Sequence, residues 1–158
     1  MNPLEKRIER AVSLFKSGYN CSQSVVAAFA DLYGFTEEQS LRMAASFGGG
    51  IGRMRQTCGA ACGLFLLAGL ESGATRADDR EGKSRNYQIV QSLAEKFRQE
   101  NGSLICSELL GLKPAQPIQP QAEERTPAYY QKRPCAQMVE SAARIFAEYY
   151  QSQKKAEN

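Results

Sequence analysis

Four of the five cysteines mark the points where apolar stripes of helical period begin. These stripes start at Cys21, Cys58, Cys106 and Cys135, and apolar residues recur along each of them every three or four positions. That spacing places apolar side chains on one face of an α-helix, whereas a half-buried strand requires strict alternation. The strand pattern is not found in any segment. The sequence therefore predicts an all-α fold in which four helices each begin with a thiol.

The predicted fold is a single-domain bundle of about six to seven helices around a central apolar helix at about residues 58–70. That helix is apolar almost all round, which is typical of a buried helix. Further helices are predicted from Pro3 to Gly18, over 21–33, after Thr36, over 81–99, around Cys106 and over 134–150. Residues 1–150 are predicted to form one helical redox- or metal-binding domain with a loop rich in proline and glutamine at 112–133. The polar tail at 151–158 is expected to fray.

Charge and composition exclude several classes of protein. The chain of 158 residues carries 20 Lys and Arg against 17 Asp and Glu, a net charge of +3, and its basic residues are scattered. Nucleic-acid binders neutralise phosphates with a dense basic face, so no nucleic-acid partner is predicted. The N-terminus lacks the apolar core of a signal peptide, and the longest apolar run falls short of the roughly 18 residues of a membrane span. We therefore expect a cytoplasmic protein without a membrane span.

The chain contains five cysteines and no histidine. Without histidine there is no Cys-His nucleophile, no His-ligated zinc and no Cys-x-x-Cys-His haem attachment. A Cys-x-x-Cys pair of the thioredoxin type is also absent from the sequence. In a reducing compartment, several cysteines indicate metal ligands or redox chemistry more often than structural disulfides. Any bound metal is therefore predicted to be held by thiolates, with carboxylates as the remaining candidate ligands.

Thiols at helix starts are suited to a shared anionic site. The first turn of a helix offers unpaired N–H groups and the positive end of the helix dipole, which favour a thiolate and can lower its pKa to roughly 3.5–7.5. If the four helix starts meet, their thiols would suit tetrahedral zinc, an iron–sulfur cluster or two redox-active dithiols. The alternative is that each cysteine serves as a small buried apolar residue. Cys62, one turn after Cys58, is predicted to be either a resolving thiol or a core filler.

A glycine-rich loop at 48–52 precedes the helix that begins near Cys58. It does not complete the dinucleotide motif G-x-G-x-x-G, because Arg55 stands at the last glycine position and no strand precedes the loop. No nucleotide cofactor is therefore predicted. We expect Gly49 and Gly50 to let the backbone approach a bulky bound group closely. Arg53 and Arg55 are expected to supply positive charge to a thiolate cluster or an anionic substrate, or else to be solvated surface residues.

Several short motifs resemble one known family. They are Gly18-Tyr-Asn-Cys-Ser-Gln23, the glycines of 48–52, Thr57-Cys-Gly-Ala-x-x-Gly63, Cys106 with Leu109-Leu110-Gly111, and Pro134-Cys135. Together they resemble the C_GCAxxG_C_C family, whose members are described as redox-active. The resemblance implies that the four helix-start cysteines are the family cysteines. A related helical domain occurs in split-Soret cytochromes together with an iron–sulfur centre, which implies a 2Fe–2S cluster rather than zinc. The cytochrome function itself does not carry over, because the chain has no haem motif.

The predicted function is that of a redox-active protein with one four-cysteine site. In the leading interpretation Cys21, Cys58, Cys106 and Cys135 bind a 2Fe–2S-type cluster for electron transfer or sensing. One alternative is a metal-free dithiol protein in which Cys58 is the nucleophile and Cys62 its partner, and another is a zinc-stabilised, non-catalytic interaction module. The expected partner is a redox protein or a small electron carrier, and a second copy of the chain is a candidate to cover an exposed cluster edge. The sequence leaves open whether the protein is an enzyme.

Overall fold

The computed structural model describes residues 2–113 and 116–158, and within them the chain forms a bundle of eight α-helices. The helices are α1 (Pro3–Lys16), α2 (Cys21–Ala27), α3 (Glu37–Ala44), α4 (Gly59–Ser72), α5 (Arg80–Asn101), α6 (Cys106–Leu109), α7 (Pro127–Lys132) and α8 (Cys135–Glu157). Across the same residues, an isolated antiparallel bridge between Thr57 and Ile105 is the one β-type pairing. The prediction of an all-α fold is confirmed. No helix in these two ranges is long and apolar enough to cross a membrane.

Helix α4 is the buried centre of the bundle, as predicted. It packs against α2, α5 and α8, and its side chains from Ala60 to Leu64 are buried all round. Gly63 explains why α2 can lie so close, because a Cβ atom at this position would stand 3.0 Å from the Cβ of Val25. A methyl group at that distance would have to displace α2. Closely packed α2 and α4 carry two of the four helix-start cysteines.

Side-chain caps and buried aromatics hold the surrounding helices. The side chain of Asn2 accepts a hydrogen bond from the backbone N–H of Glu5 and so caps α1, where Pro3 follows in the first turn. Helix α1 then packs along α8. In the core, the rings of Phe29 and Phe146 meet edge to face with their centroids 5.0 Å apart. Such aromatic pairs contribute about 0.5–1.5 kcal/mol beyond their buried area.

The structure differs from the sequence-based prediction at three places. The helix predicted over 21–33 ends at Ala27 and continues as a 3₁₀ turn at Ala30–Tyr33, which Gly34 closes in the left-handed conformation. The loop predicted at 112–133 contains α7, which Thr126 caps. The tail expected to fray is the last part of α8, where Lys154 lies 3.5 Å from Glu71. Within the predicted loop, residues 114 and 115 lie outside the described residues.

Candidate functional site at four cysteines

The four helix-start cysteines surround one cavity of about 450 Å³. Cys21, Cys106 and Cys135 are the first residues of α2, α6 and α8, and Cys58 is the N-cap of α4. All four line the cavity, and their thiols are close enough for the charge on one to influence the others. The structure thus brings together residues that are separated by up to 114 positions in the chain.

Cys58 and Cys106 are held side by side by a short stretch of antiparallel pairing. The backbone N–H of Cys58 donates to the carbonyl oxygen of Leu104 at 2.7 Å, and the N–H of Cys106 donates to that of Gln56 at 2.6 Å. These two backbone hydrogen bonds therefore fix both cysteines at the starts of α4 and α6. This pairing is not detectable as a strand in the sequence, because it involves only one bridged residue on each segment.

The glycine-rich loop is a left-handed turn. Positive φ angles run without interruption from Gly49 to Arg53, including 67° at Ile51 and 60° at Arg53, and φ is again 60° at Arg55. For a non-glycine residue this conformation costs about 1–2 kcal/mol, and for a β-branched residue it is a marked outlier. Strained backbone of this kind concentrates at functional sites.

Gly50 brings this loop into direct contact with the cysteine of α6. A Cβ atom at Gly50 would stand 2.6 Å from the Cβ of Cys106 and 2.8 Å from the Cα of Arg55. Gly50 therefore approaches a site cysteine closely, while its expected approach to a bound group stays a prediction. Gly49 also lines the cavity, and a Cβ there would meet the side chain of Arg53 at 2.7 Å.

Cys21 is positioned by the cap of its own helix. The side chain of Asn20 accepts from the N–H of Gln23, whose side chain accepts in return from the N–H of Asn20, so α2 begins with a capping box. The amide of Asn20 also donates to the carbonyl oxygen of Ala45 at 3.0 Å. Gly59 lets the start of α4 approach the preceding loop, because a Cβ there would stand 2.7 Å from the carbonyl oxygen of Phe47, while the Cβ of Cys21 would lie at an ordinary contact distance of 3.4 Å.

A segment of the proline- and glutamine-rich region, residues 116–126, covers the cavity. Arg53 donates to the carbonyl oxygen of Gln119 at 3.0 Å and to that of Gln121, and it lies 3.7 Å from the carboxylate of Glu123. Glu123 also pairs with Arg133. These contacts close residues 116–126 over the four thiols, and Arg53 is therefore not a solvated surface residue.

Arg125 anchors the far end of the same segment. Its guanidinium donates to the carbonyl oxygens of Phe15 and Tyr19, each at 2.9 Å, at the end of α1. It also stacks over the rings of Phe15 and Tyr129, with 4.5 Å and 4.8 Å to the ring centroids. Arginine is suited to this place because its planar cation can stack and donate at once.

The four helix-start cysteines all lie within a segment that matches a known protein family. Residues 19–149 match the model of the family described as "Putative redox-active protein (C_GCAxxG_C_C)", which covers most of the chain and all four helix-start cysteines. The chain belongs to this family. The predicted resemblance is confirmed. Neither a curated protein nor a solved structure matched the chain in the two other comparisons.

The pKa values of the family cysteines differ because their surroundings differ. Burial raises the pKa of the Cys58 thiol to about 12, although the backbone N–H groups of Ala60 and Ala61 oppose the rise. The pKa of Cys21 is also raised, first by its hydrogen bond with Cys135 and then by burial. The expected lowering of the pKa is therefore not found at Cys58, where desolvation outweighs the N–H groups, or at Cys21, where the interaction with Cys135 is the larger cause.

Cys135 is the exception among the family cysteines. Its pKa is lowered to about 7, first by the hydrogen bond from Cys21 and then by the charges of Arg133 and Arg125, which outweigh burial. In the metal-free protein, Cys135 therefore carries the most stable thiolate of the site. This finding favours Cys135 over Cys58 as the reactive thiol.

Cys106 and Cys62 have different surroundings. Nη1 of Arg55 lies 3.7 Å from the sulfur of Cys106, and this contact opposes the increase in pKa that burial causes. Cys62 does not belong to the cavity lining; it is buried in α4 with its sulfur 3.8 Å from the carbonyl oxygen of Thr57. Burial raises the pKa of Cys62 to about 11. The core-filler interpretation of Cys62 therefore has more support than the resolving-thiol interpretation.

The metal-binding potential of the site depends on how closely the sulfurs approach. Across residues 2–113 and 116–158, no three or more cysteine, aspartate or glutamate side chains are arranged as a ready site for a single metal ion. The four thiols instead line a cavity into which a larger group could enter. The donor set consists of sulfur atoms, which is the chemistry that iron–sulfur clusters require.

Three site residues were not singled out from the sequence. Glu123, Arg125 and Arg133 all line the cavity, but they fall in the region 112–133, which has no periodicity. Nothing local distinguishes them from other charged residues of a polar segment. The available signal was the length of that segment, since long loops in a compact domain are often functional.

Proposed function

We propose that this protein transfers or senses electrons through an iron–sulfur cluster of the 2Fe–2S type held by Cys21, Cys58, Cys106 and Cys135. The observation that supports it best is the convergence of four thiols, from four different segments, on one covered cavity. Membership of a family described as redox-active agrees with this proposal. The implied relation to the iron–sulfur domain of split-Soret cytochromes is a further argument for the cluster.

The shape of the site favours a cluster over a single zinc ion. Structural zinc needs four ligands at about 2.0–2.3 Å from one point. The thiols of this site are not arranged in that way, but they surround a volume of about 450 Å³. A group with several atoms of its own can bridge thiols around such a volume. The cluster is therefore the preferred occupant, and zinc is the alternative.

The surrounding cations suit a group that carries negative charge. Four thiolates in a largely buried cavity are costly unless positive charge is close. The charges of Arg55, Arg125 and Arg133 all act on the sulfur of Cys135. Residues 116–126 cover part of the cavity, and limited access of solvent also influences the potential of a bound centre.

When bound, the cluster supplies reversible one-electron exchange. The chain's own residues hold the sulfurs, offset their charge and cover the site. The electron is expected to come from, or pass to, a one-electron carrier protein that docks near the cover, with a second copy of the chain as another candidate for this surface. A reducing cytoplasm would keep the thiols available for cluster assembly.

The proposal is tested by anaerobic purification followed by visible spectroscopy and analysis of iron, acid-labile sulfide and zinc. The expected result is charge-transfer bands with two irons and two sulfides per chain, as the 2Fe–2S formula requires. Serine at any of Cys21, Cys58 or Cys106 is expected to abolish loading. The matched control is Cys62→Ser, which changes a buried cysteine outside the cavity and is expected to load normally. Stoichiometric zinc, or equal loading of all variants, would contradict the proposal.

A second candidate function is supported by the proximity of Cys21 and Cys135, which line the same cavity and shift each other's pKa in opposite directions. In a metal-free protein, the thiolate of Cys135 would attack a disulfide of a partner protein, and one partner sulfur would leave as thiolate. Cys21 would then attack the sulfur of Cys135, form the intramolecular disulfide and release the second partner sulfur. The proton of the Cys21 thiol would pass to a leaving thiolate, so that one disulfide is reduced and another is formed.

Peptide mapping after mild oxidation of the metal-free protein tests this second function. The expected product is one disulfide that joins the Cys21 and Cys135 peptides and that dithiothreitol reverses. The Cys62→Ser variant should give the same product, since Cys62 lies outside the cavity. Disulfides between other cysteines, or only between chains, would argue against the dithiol mechanism.

A further inference from the structure

Building on the proposed cluster, we propose that Arg55 sets the reduction potential of the centre through its hydrogen bond to the sulfur of Cys106. Nη1 of Arg55 lies 3.7 Å from Sγ of Cys106, within hydrogen-bond distance for a sulfur acceptor. The inference rests on the proposed function, because it assigns a role to one residue toward that centre. Arg55 does not ligate anything in this role; it acts through the cysteine.

The backbone of Arg55 is tied to the segment that carries its acceptor. Its carbonyl oxygen accepts from the N–H of Ser107 at 3.3 Å, and the neighbouring carbonyl of Gln56 accepts from the N–H of Cys106 at 2.6 Å. Its own N–H donates to the carbonyl oxygen of Gly49 at 3.2 Å. The guanidinium and the sulfur are thus attached to one hydrogen-bonded unit, and the distance between them does not depend on a mobile loop.

The backbone of Arg55 has the left-handed conformation. Its φ angle of 60° is one that glycine adopts freely and other residues rarely adopt. Glycine occupies three positions of the same turn, Gly49, Gly50 and Gly52, with φ angles between 56° and 73°. Strain alone does not distinguish Arg55, because Ile51 and Arg53 also have positive φ angles; what distinguishes Arg55 is its side-chain hydrogen bond to Cys106.

The other arginines of the cavity are engaged elsewhere. Among the described residues, Arg53 donates to the cover at Gln119, Arg125 donates to carbonyl oxygens at the end of α1, and Arg133 pairs with Glu123. Within residues 2–113 and 116–158, Arg55 is the only arginine whose side chain donates a hydrogen bond to a cysteine sulfur. Arg125 and Arg133 act on the sulfur of Cys135 through their charge, whereas Arg55 also makes a directional contact with a sulfur.

The direction of the effect follows from charge. One-electron reduction places additional negative charge on the cluster and its sulfurs. A cationic N–H donor stabilises the more negative state, so it raises the reduction potential. Removing the donor is expected to lower the potential, while the four thiolates and therefore the loading remain.

The experiment is a spectroscopic redox titration of the iron-loaded protein and of Arg55 variants. Arg55→Gln is expected to lower the equilibrium constant for one-electron reduction about tenfold, which corresponds to a reduction potential lower by about 59 mV. Arg55→Lys should restore part of the shift because it keeps the charge. Arg55→Gly should lower the potential like the glutamine variant while resistance to urea is kept or increased, because glycine relieves the strained φ angle. A role that is merely structural predicts the reverse, a loss of stability with no change in potential.

Ile51→Gly is the matched control for backbone strain. Ile51 has a φ angle of 67° in the same turn but does not line the cavity and carries no charge. The reduction potential of the Ile51→Gly variant should equal that of the wild-type protein. If Arg55→Gln and Arg55→Gly load fully but keep the wild-type potential, the role of Arg55 is refuted while the cluster stands.

A separate readout uses the metal-free protein. Iodoacetamide labelling of Cys106, followed by peptide mass spectrometry, should be several-fold slower in Arg55→Gln than in the wild type, because the thiolate loses its cationic neighbour. Labelling of Cys62 serves as the internal reference. If the wild-type protein binds no cluster, both the proposed function and the potential-setting role are overturned. Unchanged labelling of Cys106 in the variant would show that the contact itself has no effect.

Discussion

Replacing Gly50 by alanine tests whether the close contact between the glycine-rich loop and Cys106 supports the fold. Two separate costs are expected. Alanine at a φ angle of 73° costs about 1–2 kcal/mol in the left-handed conformation. Its Cβ would also stand 2.6 Å from the Cβ of Cys106 and 2.8 Å from the backbone nitrogen of Gln56. Neither atom is the flexible end of a side chain, so the backbone must move, and such overpacking costs typically about 1–3 kcal/mol.

Gly52→Ala is the matched control in the same turn. Gly52 has a φ angle of 56°, but a Cβ there would meet only the carbonyl oxygen of Ser46, at 3.9 Å. It therefore carries the conformational cost without the overlap. We expect Gly52→Ala to lose about 1–2 kcal/mol of unfolding free energy and Gly50→Ala about 2–5 kcal/mol. The reduced chain entropy of the unfolded state is common to both and cancels in the comparison.

Urea unfolding followed by circular dichroism measures both free energies, and labelling of Cys106 in the folded state reports whether the site has shifted. The Gly50 variant should label at a changed rate, whereas the Gly52 variant should label like the wild type. Equal losses of stability in the two variants, with unchanged labelling in both, would refute the claim that close approach at Gly50 positions Cys106.

Three further predictions follow from charges and contacts. Arg7 lowers the pKa of the Asp31 carboxyl group, so this pair stabilises the protein above the ordinary pKa of aspartate and loses its effect as the pH falls through the lowered value. Asp31 is about half exposed, so Asp31→Asn should cost less than about 1 kcal/mol of unfolding free energy at pH 7. Urea unfolding at pH 3 should show a still smaller cost. In the metal-free protein, iodoacetamide labelling of Cys135 should rise between pH 6 and 8 and then level off, in keeping with a pKa of about 7, while Cys58 stays unlabelled up to pH 9; equal labelling of the two would contradict the assigned surroundings. Arg125→Ala should lower the unfolding free energy by about 2–4 kcal/mol, because it removes two hydrogen bonds to carbonyl oxygens and two ring contacts. A loss below about 0.5 kcal/mol in thermal or urea unfolding would show that Arg125 does not anchor the segment that covers the cavity.

The helices could be predicted because their signals are local. Apolar spacing and caps such as Asn2 and Asn20 act over a few residues, and they define the starts of α1 and α2 in the sequence and in the structure alike. The prediction was incomplete where tertiary contacts add or end a helix. Helix α7 forms in a segment without periodicity, where Tyr129 and Tyr130 pack on Phe15.

The four site cysteines could be recognised as a set because each begins an apolar stripe and matches a family motif. Their arrangement could not be predicted. Cys21 and Cys135 line the same cavity and influence each other's pKa, whereas Cys62 is excluded from the cavity although it is only one turn from Cys58. Helix spacing places Cys58 and Cys62 near each other on α4, but only the packing of α2, α6 and α8 decides which thiols face the same volume.

The sequence by itself determined the all-α class, the positions of most helices and the thiols that belong to the site, because these depend on short-range periodicity and residue chemistry. Only the tertiary structure decided which thiol is most acidic, how the left-handed turn presents Arg55 to Cys106, and how Arg125 closes the cover. A pKa depends on burial and on charges brought from distant segments, and Arg125 reaches the carbonyl oxygen of Phe15 across 110 positions of the chain. Such relations exist only after the helices have packed.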